Sequence, residues 1–216
     1  MRDTVIQEVL KHKIIAIVRG MDKEQTVNIA KALYEGGIRF IEVTFNQKKP
    51  EEFYKTADSI RAIREAMGNK MYVGAGTVTS VELVDMAAEA GALYMISPDM
   101  DEEVIKRTRE LGLVSMPGAY TATEAKKAYN AGADFVKLFP CIGDAPAYVK
   151  ALCAPLSHIP FLAVGGVDAN NANAFIKAGA VGVGVGSSLV NKKWIDAGEY
   201  EKITEEAKKM IENINQ

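Results

Sequence analysis

The sequence predicts an α/β fold: a single-domain (β/α)8 TIM barrel with a short N-terminal helix, covering residues 1–216. Three observations carry that expectation. Short apolar runs alternate eight times with longer segments of helical period, each pair taking roughly 20–25 residues. The apolar runs are rich in Val and Ile with little alternation, as expected when helices cover both faces of a parallel sheet. Several helical segments end on a small-residue stop, namely Glu35-Gly36-Gly37, Ala90-Gly91-Ala92, Ala131-Gly132-Ala133 and Ala178-Gly179-Ala180, which suits a glycine cap just before the next strand. Eight such units in one domain of this size favour closure into a barrel, with a doubly wound open sheet as the alternative.

Taken in order, an amphipathic segment at 4–11 opens the chain. Strands are expected at 14–19, 40–44, 71–76, 93–97, 113–117, 135–139, 161–164 and 181–186, where β-branched and aromatic residues cluster between turn formers. Helices are expected at 26–34, 51–66, 81–90, 103–111, 122–131, 148–156, 169–178 and 203–211, where apolar residues recur every three or four positions. No low-complexity tract or charge block divides the chain.

The chain is 48% hydrophobic and 25% charged, enough to bury one full core. A net charge of −2, with Lys and Arg spread along the sequence, gives no long-range pull toward nucleic acid or an anionic membrane. Residues 1–13 mix charged and apolar side chains and lack the apolar core of a signal peptide or anchor, so a cytoplasmic protein is expected. Cys141 and Cys153 have no second cysteine pair, and His12 and His158 are the only histidines. Reduced thiols, no metal and no cofactor are therefore expected.

Lys137 interrupts the apolar run Asp134-Phe135-Val136-Lys137-Leu138-Phe139-Pro140. Burial strips an ammonium of its hydration, so such a lysine must pair with an anion, reach out to water, or give up its proton more easily. The last course makes a nucleophile that can form a Schiff base with a carbonyl, the imine then serving as an electron sink. The plainer reading is a lysine whose stem lines the strand while its head reaches solvent.

In a barrel, polar residues that finish strands point into the catalytic mouth. Here strand one ends in Arg19-Gly20, strand two holds Glu42 and Thr44, and strand three ends in Gly74-Ala75-Gly76-Thr77. Strand four ends in Ser97-Pro98, strand six holds Lys137, and strands seven and eight end in Gly165-Gly166 and Gly186-Ser187. Glu42 reads either as a proton shuttle beside Lys137 or as the structural ion partner of Lys137 or Arg19. The two glycine turns occupy the positions where barrels offer backbone N–H groups to a phosphate. Cys141, without a histidine partner, reads as a bystander. Asp101-Glu102-Glu103 reads as the acidic opening of a helix rather than a metal cluster, and Tyr120-Thr121 as part of the pocket wall.

From about residue 14 to residue 189 the chain resembles the 2-keto-3-deoxy-6-phosphogluconate (KDPG) and 4-hydroxy-2-oxoglutarate (KHG) aldolases, class I aldolases on the barrel fold. The resemblance rests on Ile41-Glu42-Val43-Thr44, Gly74-Ala75-Gly76-Thr77, Ile96-Ser97-Pro98, Met116-Pro117-Gly118, Val136-Lys137-Leu138-Phe139-Pro140 and Val164-Gly165-Gly166-Val167. It implies Lys137 as the Schiff-base lysine and Glu42 as the acid/base acting through water. It further implies Thr77 on the pyruvyl carboxylate, Phe139 beside the reacting carbons, Pro98 in the wall, and Arg19 facing an anionic part of the substrate. The phosphate would lie on Gly165, Gly166, Gly186 and Ser187. The resemblance also implies a homotrimer and a small 2-keto acid phosphate as substrate, cleaved to pyruvate and glyceraldehyde 3-phosphate.

Phosphogluconate-type members usually have an arginine four residues after the glutamate, where this chain has Asn46, and usually Pro-Thr before the glycine pair, where it has Ala163-Val164. Both features look more like the branch that cleaves the C4 epimer, 2-keto-3-deoxy-6-phosphogalactonate. Asp99 stands where the family often has glycine. Two other function classes use the same features: a sugar-phosphate isomerase or epimerase with Glu42 as base and Lys137 as a charged electrophile, and a noncatalytic phosphosugar-binding barrel.

Overall fold

The computed structural model describes residues 1–215. The chain opens on α1 (Arg2–His12) and continues through β1 (Ile14–Val18), α2 (Lys23–Glu35), β2 (Phe40–Thr44), α3 (Phe53–Met67), β3 (Tyr72–Gly76), α4 (Val81–Glu89), β4 (Tyr94–Ile96), α5 (Glu102–Glu110) and β5 (Val114–Met116). It then runs through β6 (Gly118–Ala119), α6 (Ala122–Asn130), β7 (Val136–Leu138), α7 (Ala145–Cys153), β8 (Phe161–Val164), α8 (Ala172–Lys177), β9 (Gly182–Val185), α9 (Lys192–Asp196) and α10 (Tyr200–Ile214). Every paired strand is parallel.

The order β5-β4-β3-β2-β1-β9-β8-β7-β6 leaves β5 and β6 at the two edges. These two pieces are consecutive parts of one extended segment, divided at Pro117, which has no N–H for a ladder. On one side the Met116 carbonyl accepts from Ser97 N–H at 3.2 Å; on the other the Pro117 carbonyl accepts from Lys137 N–H at 2.9 Å. The segment joins β4 to β7 and closes an eight-stranded barrel, which removes the open-sheet alternative. The strand expected at 113–117 is thus split, because a proline sits within it.

Burial sorts each strand into two faces. Ile41 and Val43 of β2, Val136 and Leu138 of β7, and Val183 and Val185 of β9 pack in the large cluster with the helices. Ile15, Phe40, Tyr94, Ile96, Val114, Met116, Phe135 and Leu162 form the inner cluster, to which Val5 and Val9 of α1 contribute. The N-terminal helix therefore plugs one end of the barrel. Because side chains alternate along a strand, the residues two beyond Phe40 and Phe135 also face inward. These are Glu42 and Lys137.

The small-residue stops act as expected. Gly37, Gly91, Gly132 and Gly179 all take positive φ, and the residue after each donates back into the helix, as Ile38 N–H does to Leu33 O at 2.9 Å. Such a closed helix end needs the left-handed conformation that glycine adopts without strain. Some boundaries differ from expectation, and one helix is additional. The segment expected to begin at 148 starts three residues earlier, with Pro146 in its first turn, where a missing N–H costs nothing. The one expected at 169 becomes helical only at Ala172, since Asp168 Oδ1 accepts from the N–H groups of Asn170 and Asn171 and holds a turn first. The five-residue α9, capped by the Asn191 side chain, was not expected at all, being too short to show a period. Among the described residues no helix is long and apolar enough to cross a membrane.

Candidate active site

The site is assembled at the end of the barrel opposite α1, and glycines make the room for it. On β3 and β9 the inward positions are Gly74, Gly76, Gly182 and Gly184. A Cβ on Gly74 would lie 2.2 Å from the Tyr94 ring, and one on Gly184 would lie 2.8 Å from Val164. Tyr94 is fully buried and donates its hydroxyl to Ile41 O at 2.8 Å. Burial, and after it the Glu42 charge, holds its phenol neutral, so Tyr94 forms the floor below Glu42.

Gly76 answers a closer approach. A Cβ there would stand 1.6 Å from Glu42 Oε1, so the carboxylate lies directly over this backbone position. If Glu42 is the general acid/base that the family resemblance implies, Gly76→Ala is expected to force the carboxylate aside and lower kcat about 100-fold, the lower end of what a displaced general acid/base forfeits. Steady-state kinetics beside a circular-dichroism melt would check it, and an unchanged kcat would show that Glu42 works from another position.

Lys137 is 8% exposed and Glu42 2%. Burial pushes the Lys137 ammonium below its ordinary range; the Glu42 charge opposes that shift and the Arg19 charge adds to it. Burial pushes the Glu42 carboxyl up, against the pull of Lys137 and then Arg19. The amine and carboxylate thus act on each other through charge, with no hydrogen bond between them contributing to either shift. Taken together, desolvation works toward a neutral amine facing a carboxyl that can hold a proton, the pairing a Schiff-base mechanism needs. Lys137 Nζ also lies over the Phe139 ring, 4.8 Å from its centroid.

The other expected residues lie on or just beyond the ends of the strands. Arg19 is exposed, just beyond β1, and its charge reaches both Glu42 and Lys137. Thr77 is half-buried and has φ of 56°, a left-handed backbone that a β-branched residue adopts at a cost of about 1–3 kcal/mol. Its surroundings hold it there: Gln47 donates its side-chain amide to Thr77 O at 2.9 Å, and Val78 O accepts from the buried Ser97 hydroxyl at 2.7 Å. Pro98 is half-buried and packs so near β6 that a Cβ on Gly118 would meet its carbonyl at 2.2 Å. Phe139 is 39% exposed, as fits a ring at an open mouth. Asn46 is exposed on the rim, its side-chain oxygen accepting from Lys48 N–H at 3.1 Å, and Asp99 is exposed as well. Val164 is buried and, by parity with Leu162 of the inner cluster, lies on the inner face of β8.

The two glycine turns lie side by side after the paired strands β8 and β9. Gly165 and Gly166 have φ of 103° and 67°, and a Cβ on Gly166 would meet Cys141 O at 2.9 Å. Gly186 differs, since a Cβ there would meet nothing within 4 Å; its bare backbone faces open space. Among the described residues no protein acceptor meets the N–H groups of Gly166, Ser187 or Ser188. A cluster of free N–H groups at two adjoining turns suits a phosphate.

The remaining candidates fall outside this group. Cys141 is buried, burial raises its thiol, and Sγ donates weakly to Leu138 O. Asp101 caps α5, accepting from Glu103 and Val104 N–H. Tyr120, just past the end of β6, stacks on Tyr148, and Thr121 caps α6, so both stay at the strand-end side of the barrel. His12 bonds to Glu8, and His158 packs edge-on against Tyr129. Sequence reasoning missed the clearance at Gly76 and the Gln47 tie to Thr77. The first had a visible signal in Gly74-Ala75-Gly76, glycines at alternate positions of one strand, which bare one face of it.

Comparison with known proteins agrees with this geometry. The family model for KDPG and KHG aldolase matches residues 5–206. The 2-dehydro-3-deoxy-6-phosphogalactonate aldolase of Escherichia coli (strain K12) is 39% identical over 180 residues, covering 83% of this chain and 85% of that protein. The 2-dehydro-3-deoxy-phosphogluconate aldolase of Treponema pallidum (strain Nichols) is 32% identical over 202 residues and 93% of each. A solved native KDPGal structure superposes with a TM-score of 0.83 at 35% identity over 94% of each chain. A family match over nearly the whole chain, and a barrel that turns a lysine and a glutamate into one glycine-lined mouth, lead to one statement: the chain belongs to the KDPG and KHG aldolase family.

Proposed function

We propose that Lys137 is the Schiff-base nucleophile of a class I aldolase that cleaves 2-keto-3-deoxy-6-phospho sugar acids to pyruvate and glyceraldehyde 3-phosphate. The observation that carries this reading is the buried Lys137 amine coupled by charge to the buried Glu42 carboxylate on the inner wall of the barrel. The neutral amine attacks the C2 carbonyl, and the carbinolamine loses water to give a protonated imine. Glu42, through a water, takes the C4 hydroxyl proton. The C3–C4 bond then breaks, its electron pair enters the imine to give an enamine, and the aldehyde leaves. The enamine C3 is protonated, and hydrolysis releases pyruvate and restores Lys137.

In this reading Thr77 holds the pyruvyl carboxylate and Arg19 neutralises an anionic part of the substrate. Phe139 and Pro98 flank the carbon chain. The phosphate lies on Gly165, Gly166, Gly186 and Ser187. A homotrimer of the 23.4 kDa chain in the cytoplasm belongs with the same reading, and sedimentation equilibrium tests the assembly.

Val164 decides the C4 question. A pocket that bonds one hydroxyl rejects the wrong configuration by about 10⁴-fold or more, whereas an apolar wall discriminates by about 100-fold at most. With Val164 on the inner face and Asn46 on the rim, kcat/KM for the gluconate and galactonate epimers is expected to differ by less than about 100-fold. Pyruvate release from each epimer, coupled to lactate dehydrogenase, measures the ratio. A ratio above about 10⁴ would mean that a hydroxyl-bonding group is at work there, and no release from either epimer would end the aldolase assignment.

A further inference from the structure

The inner face of β2 carries a second polar group above Glu42. Phe40, Glu42 and Thr44 alternate on that face, while Ile41 and Val43 pack outward with Phe45. Thr44 is 5% exposed, and among the described residues its Oγ1 is the buried side-chain polar atom that has no hydrogen-bond partner. Three other buried hydroxyls among the described residues are satisfied locally. Thr26 donates to Asp22 O at 2.6 Å, Thr108 to Val104 O at 2.7 Å, and Ser97 to Val78 O at 2.7 Å. The unpaired hydroxyl is the one in the mouth of the barrel. Valine would fill the same volume there without burying an unsatisfied oxygen, so the threonine needs a reason.

Its neighbours supply one. Thr44 pairs in register with Gly76, the glycine over which the Glu42 carboxylate lies. Hydroxyl and carboxylate therefore border the same side-chain-free position of β3, and Lys137 acts on that carboxylate through charge. A water at that patch would satisfy Thr44 Oγ1 and stand within reach of Glu42.

We propose that Thr44 is a positioning residue whose hydroxyl, with the Glu42 carboxylate, holds the water that relays protons to and from the substrate carbon. Thr44 Oγ–H donates to the water oxygen and the carboxylate accepts one of its hydrogens. When a pyruvyl imine loses a C3 proton, that proton passes to the water oxygen while a water hydrogen passes to Glu42. Enamine, water and neutral carboxyl group remain. The inference rests on the Lys137 and Glu42 roles proposed above.

The test compares Thr44→Val and Thr44→Ser with the parent enzyme by three readings: the borohydride adduct with pyruvate, uptake of deuterium from D2O into the pyruvate methyl group, and the melting temperature. In Thr44→Val the adduct still forms on Lys137 and KM stays near the parent value. Methyl exchange and kcat fall together by about 10- to 100-fold, as expected for a misplaced reacting group. The melting temperature does not fall, and Thr44→Ser recovers most of both rates. The proposal is overturned if the valine variant exchanges and turns over at parent rates, or if KM rises while kcat holds, which would place the hydroxyl on the substrate instead. It is equally overturned if the serine variant is as slow as the valine one and both melt early. If the parent enzyme itself forms no adduct on Lys137, the Schiff-base reading fails and this inference falls with it; parent adduct with unchanged exchange in Thr44→Val removes only the relay.

Discussion

Lys137→Ala is expected to lose roughly four to six orders of magnitude in kcat, as when a covalent nucleophile is removed from an enzyme, while the chain stays folded. The loss follows from the lack of a substitute. Cys141 is sealed against Leu138 O with its thiol raised by burial, and neither histidine lies in the mouth of the barrel. The fold survives because Lys137 makes no ion pair that anchors a neighbouring element, and its removal spares the barrel the cost of a buried amine. Glu42 then loses the cation that pulls its pKa down, so its carboxyl shifts further toward the protonated form. Pyruvate release and a thermal melt, measured on one preparation, check both halves. Activity above about 1% of the parent would place the nucleophile elsewhere.

Glu42→Gln is expected to lower kcat by about 10²- to 10⁴-fold, the range for a lost general acid/base, without preventing imine formation on Lys137. Its pH dependence has a sign that can be worked out. The Glu42 charge favours protonated Lys137, so glutamine lets the amine lose its proton at lower pH. The acid limb of pyruvate adduct formation therefore moves to lower pH. Arg19 acts in the opposite sense, since its charge disfavours protonated Lys137, and Arg19→Gln moves the same limb to higher pH. Borohydride trapping against pH reads both displacements. Movement of the two variants in the same direction would show that these charges do not act on Lys137 as the geometry requires. Stability gives a second sign. The Glu42 carboxyl is raised in the fold, so its favourable contribution is full below the ordinary carboxylate range and is lost as pH climbs through the raised value. Glutamine, which never ionises, should therefore melt no lower than the parent at pH 7.

What the sequence made legible was whatever depends on order and period. Lys137 and Glu42 stand out because a charge inside an apolar strand has no cheap explanation, and strand parity alone turns both inward beside Phe135 and Phe40. The glycine stops at Gly37, Gly91, Gly132 and Gly179 are local, and each closes its helix as expected. The two glycine turns followed from their places after the last two strands. What stayed hidden depends on distances between segments far apart in the chain. Gly76 is read only as part of a strand end until the Glu42 carboxylate is seen 1.6 Å from where its Cβ would stand. Parity put Thr44 on the same face as Glu42, but its missing hydrogen bond is a fact about the whole neighbourhood. The left-handed Thr77 belongs to the same class: its conformation is imposed by Gln47 and by the strand beside it, against its own preference. Pro117 carried a local signal that points the other way, since a proline argues against a strand centre, and the barrel closes there by bonding through its carbonyl.

The most direct measurement is the intact mass of the protein after incubation with pyruvate and sodium borohydride, followed by peptide mapping of the product. The account predicts one reduced pyruvyl group per chain, carried on Lys137 and absent from Lys137→Ala. No adduct when pyruvate is shown to bind, or an adduct on any other lysine, would contradict it.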